Sequence, residues 1–520
     1  MHVLIIGDVG WDDFYHLGDE AMTEFAIEAV RAQGADDITL VAGNPQYAGR
    51  MYEVDGVNRF GFRMGHRASN AARSAAILAH VRGEASLHDS DRALPTLRAL
   101  ETADALLIAG GGNLNSTFDH HIYDRLTLAR VAREYGVPYA LTSQTLGPLI
   151  YRDDRSLIEE LLCGARFFTA REDHTYRVAS EIAGAKTEVL LQVDDAFSLT
   201  ANPSDREAIA DLTGAPFVIA SFAEKSSSPV LSTADYHALA ARIIREIAER
   251  AGIRVLLVPH AGALQADKFK RDEISNETIA RIADHSNVRT VRMLTARQLA
   301  ALTEEASLVI GTRYHAGIFA AAVGVPHVAL APNMYSSVRM RGAARNIGFE
   351  DFVLPISHAS AVIDTATGML GTDARASAVC DHLRSAADTL TRSHAKYWDA
   401  AMDTLLRNGN GVGTAHHHES VKSISNPFVG AIEQLRENLD LTEVYGILHQ
   451  EDRFESDQQR RALKAEVDEI TSRLDAMKKE NADLRKTITV LSRETKFMGK
   501  TRRRLWQARQ KWRKRSSSWN

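Results

Sequence analysis

The fold class expected of this chain is α/β: two doubly wound, Rossmann-like domains on parallel sheets, followed by an α-helical coiled coil. Three observations carry that expectation. Short apolar strands alternate with amphipathic helices from the N-terminus to about residue 203, the pattern of a parallel sheet covered on both faces. The same alternation restarts after the polar break Asn202 to Asp205 and runs to about residue 408. Farther on, apolar residues step by four and three along residues 463–491. A length of 520 residues exceeds what one hydrophobic core supports. The division read from these patterns is 1–203, 204–408, a linker at 409–440, a coiled coil at 441–495 and a tail at 496–520.

Residues 3–6 are an apolar strand, 19–32 carry apolar residues at helical spacing, and 38–41 form the next strand. Residues 44–95, rich in Arg, His and Gly, read as a variable insertion with one Ala-rich helix at 69–82. Strands follow at 105–109, 139–142, 167–170 and 188–191, with helices at 123–135, 156–163 and 174–183 between them. In the second set the strands are 217–221, 254–258, 288–291, 307–310 and 325–330. Helices at 233–250, 273–284, 295–305 and 316–323 alternate with them, and a helical stretch at 374–407 closes the body. Such halves facing each other form a cleft lined by the C-terminal ends of both sheets.

Residues 408–426, NGNGVGTAHHHESVKSISN, hold few large apolar residues and read as a linker; without GK[ST] they are no phosphate loop. Leu463, Val467, Ile470, Leu474, Met477, Asn481, Leu484, Ile488 and Leu491 then occupy a and d positions. Asn481 at an a position favours a parallel two-stranded pairing, hence a homodimer, in which Glu480 meets Arg485 of the partner while Arg473 and Lys478 repel. The alternative is a single long helix folded back on the body. From Lys496 to Asn520 there are ten Lys/Arg and no Asp or Glu, leaving 52 basic against 67 acidic residues elsewhere, a balance of −15. With Trp506, Trp512 and Trp519 interleaved, this tail suits an anionic surface. A membrane face or an envelope polymer ranks ahead of nucleic acid, because the body carries no nucleic-acid module.

Composition, 45% apolar and 25% charged, is that of a soluble globular protein. Cys163 and Cys380 lack CxxC spacing, which argues against a disulfide framework and a cysteine zinc site and for a reducing compartment. MHVLIIGD is a strand entering a turn, and no apolar run reaches 18 residues. The expected location is therefore the cytoplasm, with the inner face of the membrane within reach of the tail. No metal cluster is visible.

Candidate chemistry sits where strands end. Asp19 and Glu20 open a helix in HLGDE, where Asp19 is also a natural N-cap. Gly111, Gly112 and Asn113 follow a buried strand, where missing side chains admit a ligand to the backbone, though GxGxxG is absent. Gln144 lies in SQTLGP, and Arg171 follows the strand at 167–170. Arg313 and His315 stand where the strand at 307–310 hands over to a helix, a place that holds anions. Pro259-His260 ends a further strand and is a weaker candidate, read first as a turn.

In this order HLGDEA, GGGNL, SQTLGPL, AREDHT, VDDAF and GTRYHAGIFAAAVGVP resemble the polysaccharide pyruvyl transferases over about residues 1–350. The resemblance implies a fold like that of the two-domain B-type glycosyltransferases. It also implies transfer of a pyruvyl group from phosphoenolpyruvate onto a sugar of a cell-surface polysaccharide or its lipid-linked precursor, forming a cyclic ketal with no further cofactor. Family positions that handle phosphoenolpyruvate match Arg313, His315 and Arg171, with Tyr314 in place of the usual leucine. A lysine frequent in the family has no counterpart in PNMYSSVRMRG, where Arg339 is the nearest cation.

The residues agree with that chemistry. A carboxylate and a phosphate call for cations and a helix N-terminus. On this reading Arg313 and Arg171 bind the donor, His315 is the acid, and Asp19 or Glu20 orients or deprotonates the acceptor. The alternatives are a nucleotide-sugar glycosyltransferase in the same cleft and a non-catalytic envelope scaffold. Acceptor choice is expected from residues 44–95, as variable loops at a cleft carry specificity.

Overall fold

Runs such as Val3-Leu4-Ile5-Ile6 are apolar on both faces, and a strand of that kind is stable only in the middle of a parallel sheet. In the computed structural model the first domain places its strands accordingly. They are β1 (His2–Ile6), β2 (Tyr15–His16), β3 (Asp37–Ala42), β4 (Asp55–Asn58), β5 (Ala105–Ile108), β6 (Gly111–Leu114), β7 (Tyr139–Leu146), β8 (Phe167–Ala170) and β9 (Glu188–Leu191). All but β2 form one sheet in the order β4-β3-β1-β5-β7-β8-β9, with β6 pairing β7. The second domain holds β10 (Phe217–Ser221), β11 (Arg254–Leu257), β12 (Ala261–Gly262), β13 (Val288–Thr290), β14 (Leu308–Gly311), β15 (His327–Ala331) and β16 (Val353–Pro355). Its sheet runs β13-β11-β10-β14-β15-β16. Every ladder in both sheets is parallel. The protein is thus two Rossmann-like domains.

The described residues are 1–446 apart from 12, 226–230, 266, 408, 410, 414–416 and 419–420, together with 448, 473–474, 477–479, 482, 486, 499–511 and 513. They fall into two units, Met1–Leu448 and His449–Asn520. Most of the heptad seam, Asn481 included, lies outside the described residues, as do Trp512 and Trp519. In the second unit the stretch 499–511 is helical.

Several elements depart from the sequence pattern. Within 44–95 the chain forms the helix Pro45–Tyr52, the edge strand β4 and the helix Arg67–Val81, and a further helix Leu94–Glu101 follows. The strand expected to end at 142 runs on to Leu146, since β6 pairs with its far end. The antiparallel pair β2 and β12 joins one domain to the other, His16 opposite Ala261 and Tyr15 opposite Gly262. Helix Ala374–Leu406 begins on the second domain, and its C-terminal half packs Tyr397, Trp398, Ala401 and Leu405 against the core around β1 and β3.

In each sheet the strand order reverses beside the first strand of its domain: β1 lies between β3 and β5, and β10 between β11 and β14. Crevices open beyond the carboxyl ends of strands at such points, and ligands bind in them. Gly7-Asp8 leave the first sheet there, Ala109-Gly110 lead from β5 into β6, and Thr312–His315 leave the second sheet.

Candidate active site

Arg171 leaves β8 as a fully buried guanidinium, 1% exposed. Its Nη1 donates to Asp194 Oδ2 at 2.7 Å and its Nε to Thr145 Oγ1 at 2.8 Å, while Nη2 has no hydrogen-bond partner. The guanidinium lies over the ring of Tyr314, 4.6 Å from its centre. Arg339, from the helix Met334–Asn346, lies over the same ring at 4.7 Å and over Tyr335 at 4.6 Å. Two cations thus share one aromatic ring, an attraction of about 0.5–2 kcal/mol each that holds like charges together.

Gly112 marks what they face. A Cβ built there would lie 2.8 Å from Arg171 Nη2 and 3.4 Å from both Arg339 Cζ and the Tyr335 hydroxyl. Only a residue without a Cβ lets the two guanidiniums and the tyrosine lie this close to the backbone. Tyr335 closes one side by donating its hydroxyl to the Gly112 carbonyl at 2.8 Å. Arg171 Nη2, Arg339 Nε, the Tyr314 hydroxyl and His315 Nε2 are all buried without a hydrogen-bond partner. Unpaired buried donors of this kind are rare in folded proteins, and each costs roughly 1–3 kcal/mol unless something fills the site. The helix Tyr314–Ala322, with no side-chain cap, begins here and adds its N-terminal dipole.

His315, the second residue of that helix, rests on Gly18, where a Cβ would collide with the imidazole. Its Nε2 lies 3.5 Å from Asp194 Oδ2, too far for a hydrogen bond. Burial pushes the imidazole below its usual pKa, and the Asp194 carboxylate offsets part of that push. Burial alone would raise Asp194, but Arg171 and His315 together hold it below the usual carboxylate range. At neutral pH this leaves a neutral imidazole, an ionised carboxylate and a charged guanidinium.

The other expected residues are placed as follows. Arg313 directs its fork at Asp272, Nε to Oδ2 at 2.9 Å and Nη2 to Oδ1. Asp272 also accepts the backbone N–H groups of Glu224, His260 and Ala261 at 3.0–3.1 Å, so Arg313 ties the loops after β10 and β11 together. Asp19 is buried, pairs with the His16 imidazole, and acts electrostatically on both Arg171 and His315. Glu20 points into the first domain, accepting the Gly10 N–H at 3.1 Å and the Tyr52 hydroxyl, and burial raises its pKa well above the usual value. Gln144 is spent on the carbonyls of Ala109 at 2.7 Å and Thr142 at 2.8 Å. Gly111 and Asn113 lie in β6, with Asn113 Oδ1 buried and unpaired.

Asp194, Tyr314 and Tyr335 are not singled out as site residues by the sequence, and His260 is only its weaker candidate. Asp194 had a signal, the acidic pair that ends an apolar strand. His260 donates or accepts at Ser221 Oγ at 2.5 Å, leaves Nε2 unpaired, and is pushed well down by burial. Tyr335 carried none, because only the fold brings it to Gly112.

Comparison with known proteins agrees with this picture. A family model described as polysaccharide pyruvyl transferase matches residues 16–333. No curated protein matches the chain. Among solved structures, the S. aureus MnaA complex with UDP is similar with a TM-score of 0.51 at 10% identity, covering 82% of this chain and 100% of that one. A UDP-N-acetylglucosamine 2-epimerase gives 0.50 at 11% identity over 82% and 99% of the two chains. The Neisseria meningitidis UDP-GlcNAc 2-epimerase bound to UDP-GlcNAc gives 0.49 at 10% identity over 78% and 100%. At these identities the likeness is one of fold.

Proposed function

The chain belongs to the polysaccharide pyruvyl transferase family, and from that premise we propose that it moves a pyruvyl group from phosphoenolpyruvate onto two hydroxyls of a sugar, forming a ketal. One observation carries the reading: Arg171 and Arg339 converge on the bare backbone of Gly112, with Arg171 Nη2, Arg339 Nε and the Tyr314 hydroxyl buried and unpaired where the helix Tyr314–Ala322 begins. Phosphoenolpyruvate is a small, multiply charged anion, and this cluster is cationic and presents unpaired donors. Arg339 takes the place of the lysine frequent in the family, and Tyr314 in place of leucine holds it against Arg171.

The chemistry follows in balance. The C3 methylene takes a proton while the first sugar oxygen bonds to C2. The C2–O bond to phosphate then breaks, and the second sugar oxygen closes the ring. Two hydroxyl protons are given up, matching the one gained by the methyl group and the one carried off on phosphate. His315 is the proton donor in this scheme. It is neutral in the empty site, and the arriving dianion raises its proton affinity, so substrate binding arms the acid. Asp194 orients the ring, and Asp19 receives the acceptor's proton.

Phosphate release from phosphoenolpyruvate, with methyl hexopyranosides or an envelope glycan extract as acceptor, tests this directly. Acceptor-dependent release that is lost in Arg171→Ala supports it. Turnover of a nucleotide sugar instead would reassign the reaction within the same fold.

A further inference from the structure

Resting on the pyruvyl-transfer reading, we propose that the acceptor sugar docks beside the end of β1, stacked on Trp11 and hydrogen-bonded by Asp8 and Arg59, with His121 and Arg125 fixing Asp8 from behind. The mechanism above uses none of these residues except through Asp19.

Trp11 is 40% exposed, an unusual setting for the largest apolar side chain. It is nonetheless held in place. Its indole lies on the bare backbone of Gly43, where any Cβ would collide with the ring, and Arg59 lies 5.6 Å from its centre. A rigid indole with one face open, bordered by charged hydrogen-bonding groups, fits a pyranose: its C–H face stacks and its hydroxyl rim finds polar partners.

Those partners are built, not incidental. Asp8 Oδ1 lies 3.0 Å from Arg59 Nη2 and Oδ2 lies 3.4 Å from His121 Nε2. Arg125 Nη1 lies 2.9 Å from His121 Nδ1, and because a guanidinium only donates, Nδ1 accepts and the ring proton sits on Nε2, facing Asp8. Arg125 is 1% exposed, and its Nε and Nη2 have no hydrogen-bond partner. Burial and Arg59 push its pKa down to about 10. Arg59 Nε, His120 Nδ1 and Asp124 Oδ1 are likewise buried and unpaired. A concentration of unmet donors and acceptors around a carboxylate marks a place for a polyhydroxylated ligand.

The position suits transfer. Asp19 acts electrostatically on Arg125 on this side and on Arg171 and His315 on the other, so one buried carboxylate lies between the sugar subsite and the anion site. The segment 44–95 contributes through Arg59.

The test uses the full chain and saturation-transfer NMR with methyl β-D-galactopyranoside, methyl β-D-glucopyranoside and methyl α-D-mannopyranoside, which needs no turnover. At least one is expected to bind, with affinity at least tenfold weaker in Trp11→Ala and in Asp8→Asn and largely kept in Trp11→Phe. Calorimetric titration with phosphoenolpyruvate runs beside it. Binding of phosphoenolpyruvate together with hexoside binding that neither substitution weakens, or with no hexoside binding, overturns the acceptor subsite and leaves the proposed reaction standing. Hexoside binding that depends on Trp11, without phosphoenolpyruvate binding, keeps the subsite and removes the donor.

Discussion

Tyr314 stands between two guanidiniums, and that placement makes the role of a single ring measurable. In Tyr314→Leu both cation–π contacts vanish, worth about 1–2 kcal/mol each when desolvated. Phosphoenolpyruvate is expected to bind roughly tenfold more weakly, read by calorimetry; unchanged affinity would mean that Arg339 is not held by the ring. Gly112→Ala is a sharper probe. Its methyl would sit 2.8 Å from Arg171 Nη2 and push that guanidinium off its present position, so phosphoenolpyruvate should bind roughly tenfold or more weakly, read by the same calorimetry. His315 gives a pH prediction. Burial lowers its pKa, with Asp194 offsetting in part, so in the free protein the ring loses its proton below the usual histidine value. A bound dianion raises it again, and proton uptake on binding at pH 7 should follow. Titrations in buffers of different ionisation enthalpy should find less uptake in His315→Asn than in the wild type; equal uptake would remove His315 as the acid.

The helix Met334–Asn346 carries Tyr335 and Arg339, and residues 432–446 form a helix against its outer side. Arg341 pairs with Asp440 at 2.6 Å and Glu443 at 3.0 Å, Ser337 donates to Glu443 at 2.5 Å, and a Cβ on Gly446 would collide with Met334. Gly446→Val should therefore shift the donor helix, raising the KM for phosphoenolpyruvate several-fold with the acceptor KM unchanged; equal changes in both would contradict this. This element also shows where legibility ended. Strands such as Val3–Ile6 were readable because an apolar run has one stable setting, and Arg171 and His315 were readable because they follow such strands. MYSSVRMRGAARN offers little apolar contrast, since Arg339 and Arg345 reach Tyr314 and Asp173 on one side and Arg341 reaches a second helix on the other. The pair β2 and β12 is two residues long on each side and has no period to detect. Arg313 was placed correctly in the chain, but its partner Asp272 lies 41 residues away and only the fold discloses it.

At the scale of the whole body, the domains meet through a few buried contacts that set the cleft. Leu17 N donates to the His260 carbonyl at 3.0 Å and Ala296 N to the Tyr15 hydroxyl at 3.0 Å. Arg297 pairs with Glu24 at 2.5 Å and also with Glu28 and the Thr200 carbonyl. Arg297 is buried while Glu24 and Glu28 are partly exposed, so its loss costs less than the roughly 3–5 kcal/mol of a fully buried pair, and Arg297→Ala should lower the melting temperature by a few degrees. Burial already raises Glu24 above its usual pKa, and without Arg297 it rises further. A carboxyl raised in the folded state destabilises once the unfolded chain ionises, so the deficit should be small near pH 4 and grow toward pH 7. A deficit independent of pH would exclude Glu24 as its source. No helix among the described residues is long and apolar enough to cross a membrane. The central claim is the anion site at Gly112, and calorimetric titration of phosphoenolpyruvate into the wild type and Arg339→Ala tests it most directly. Arg339 is partly exposed, so its loss spares the core. The wild type should bind saturably and the variant at least thirtyfold more weakly; no binding by the wild type, or equal binding by both, would rule the site out.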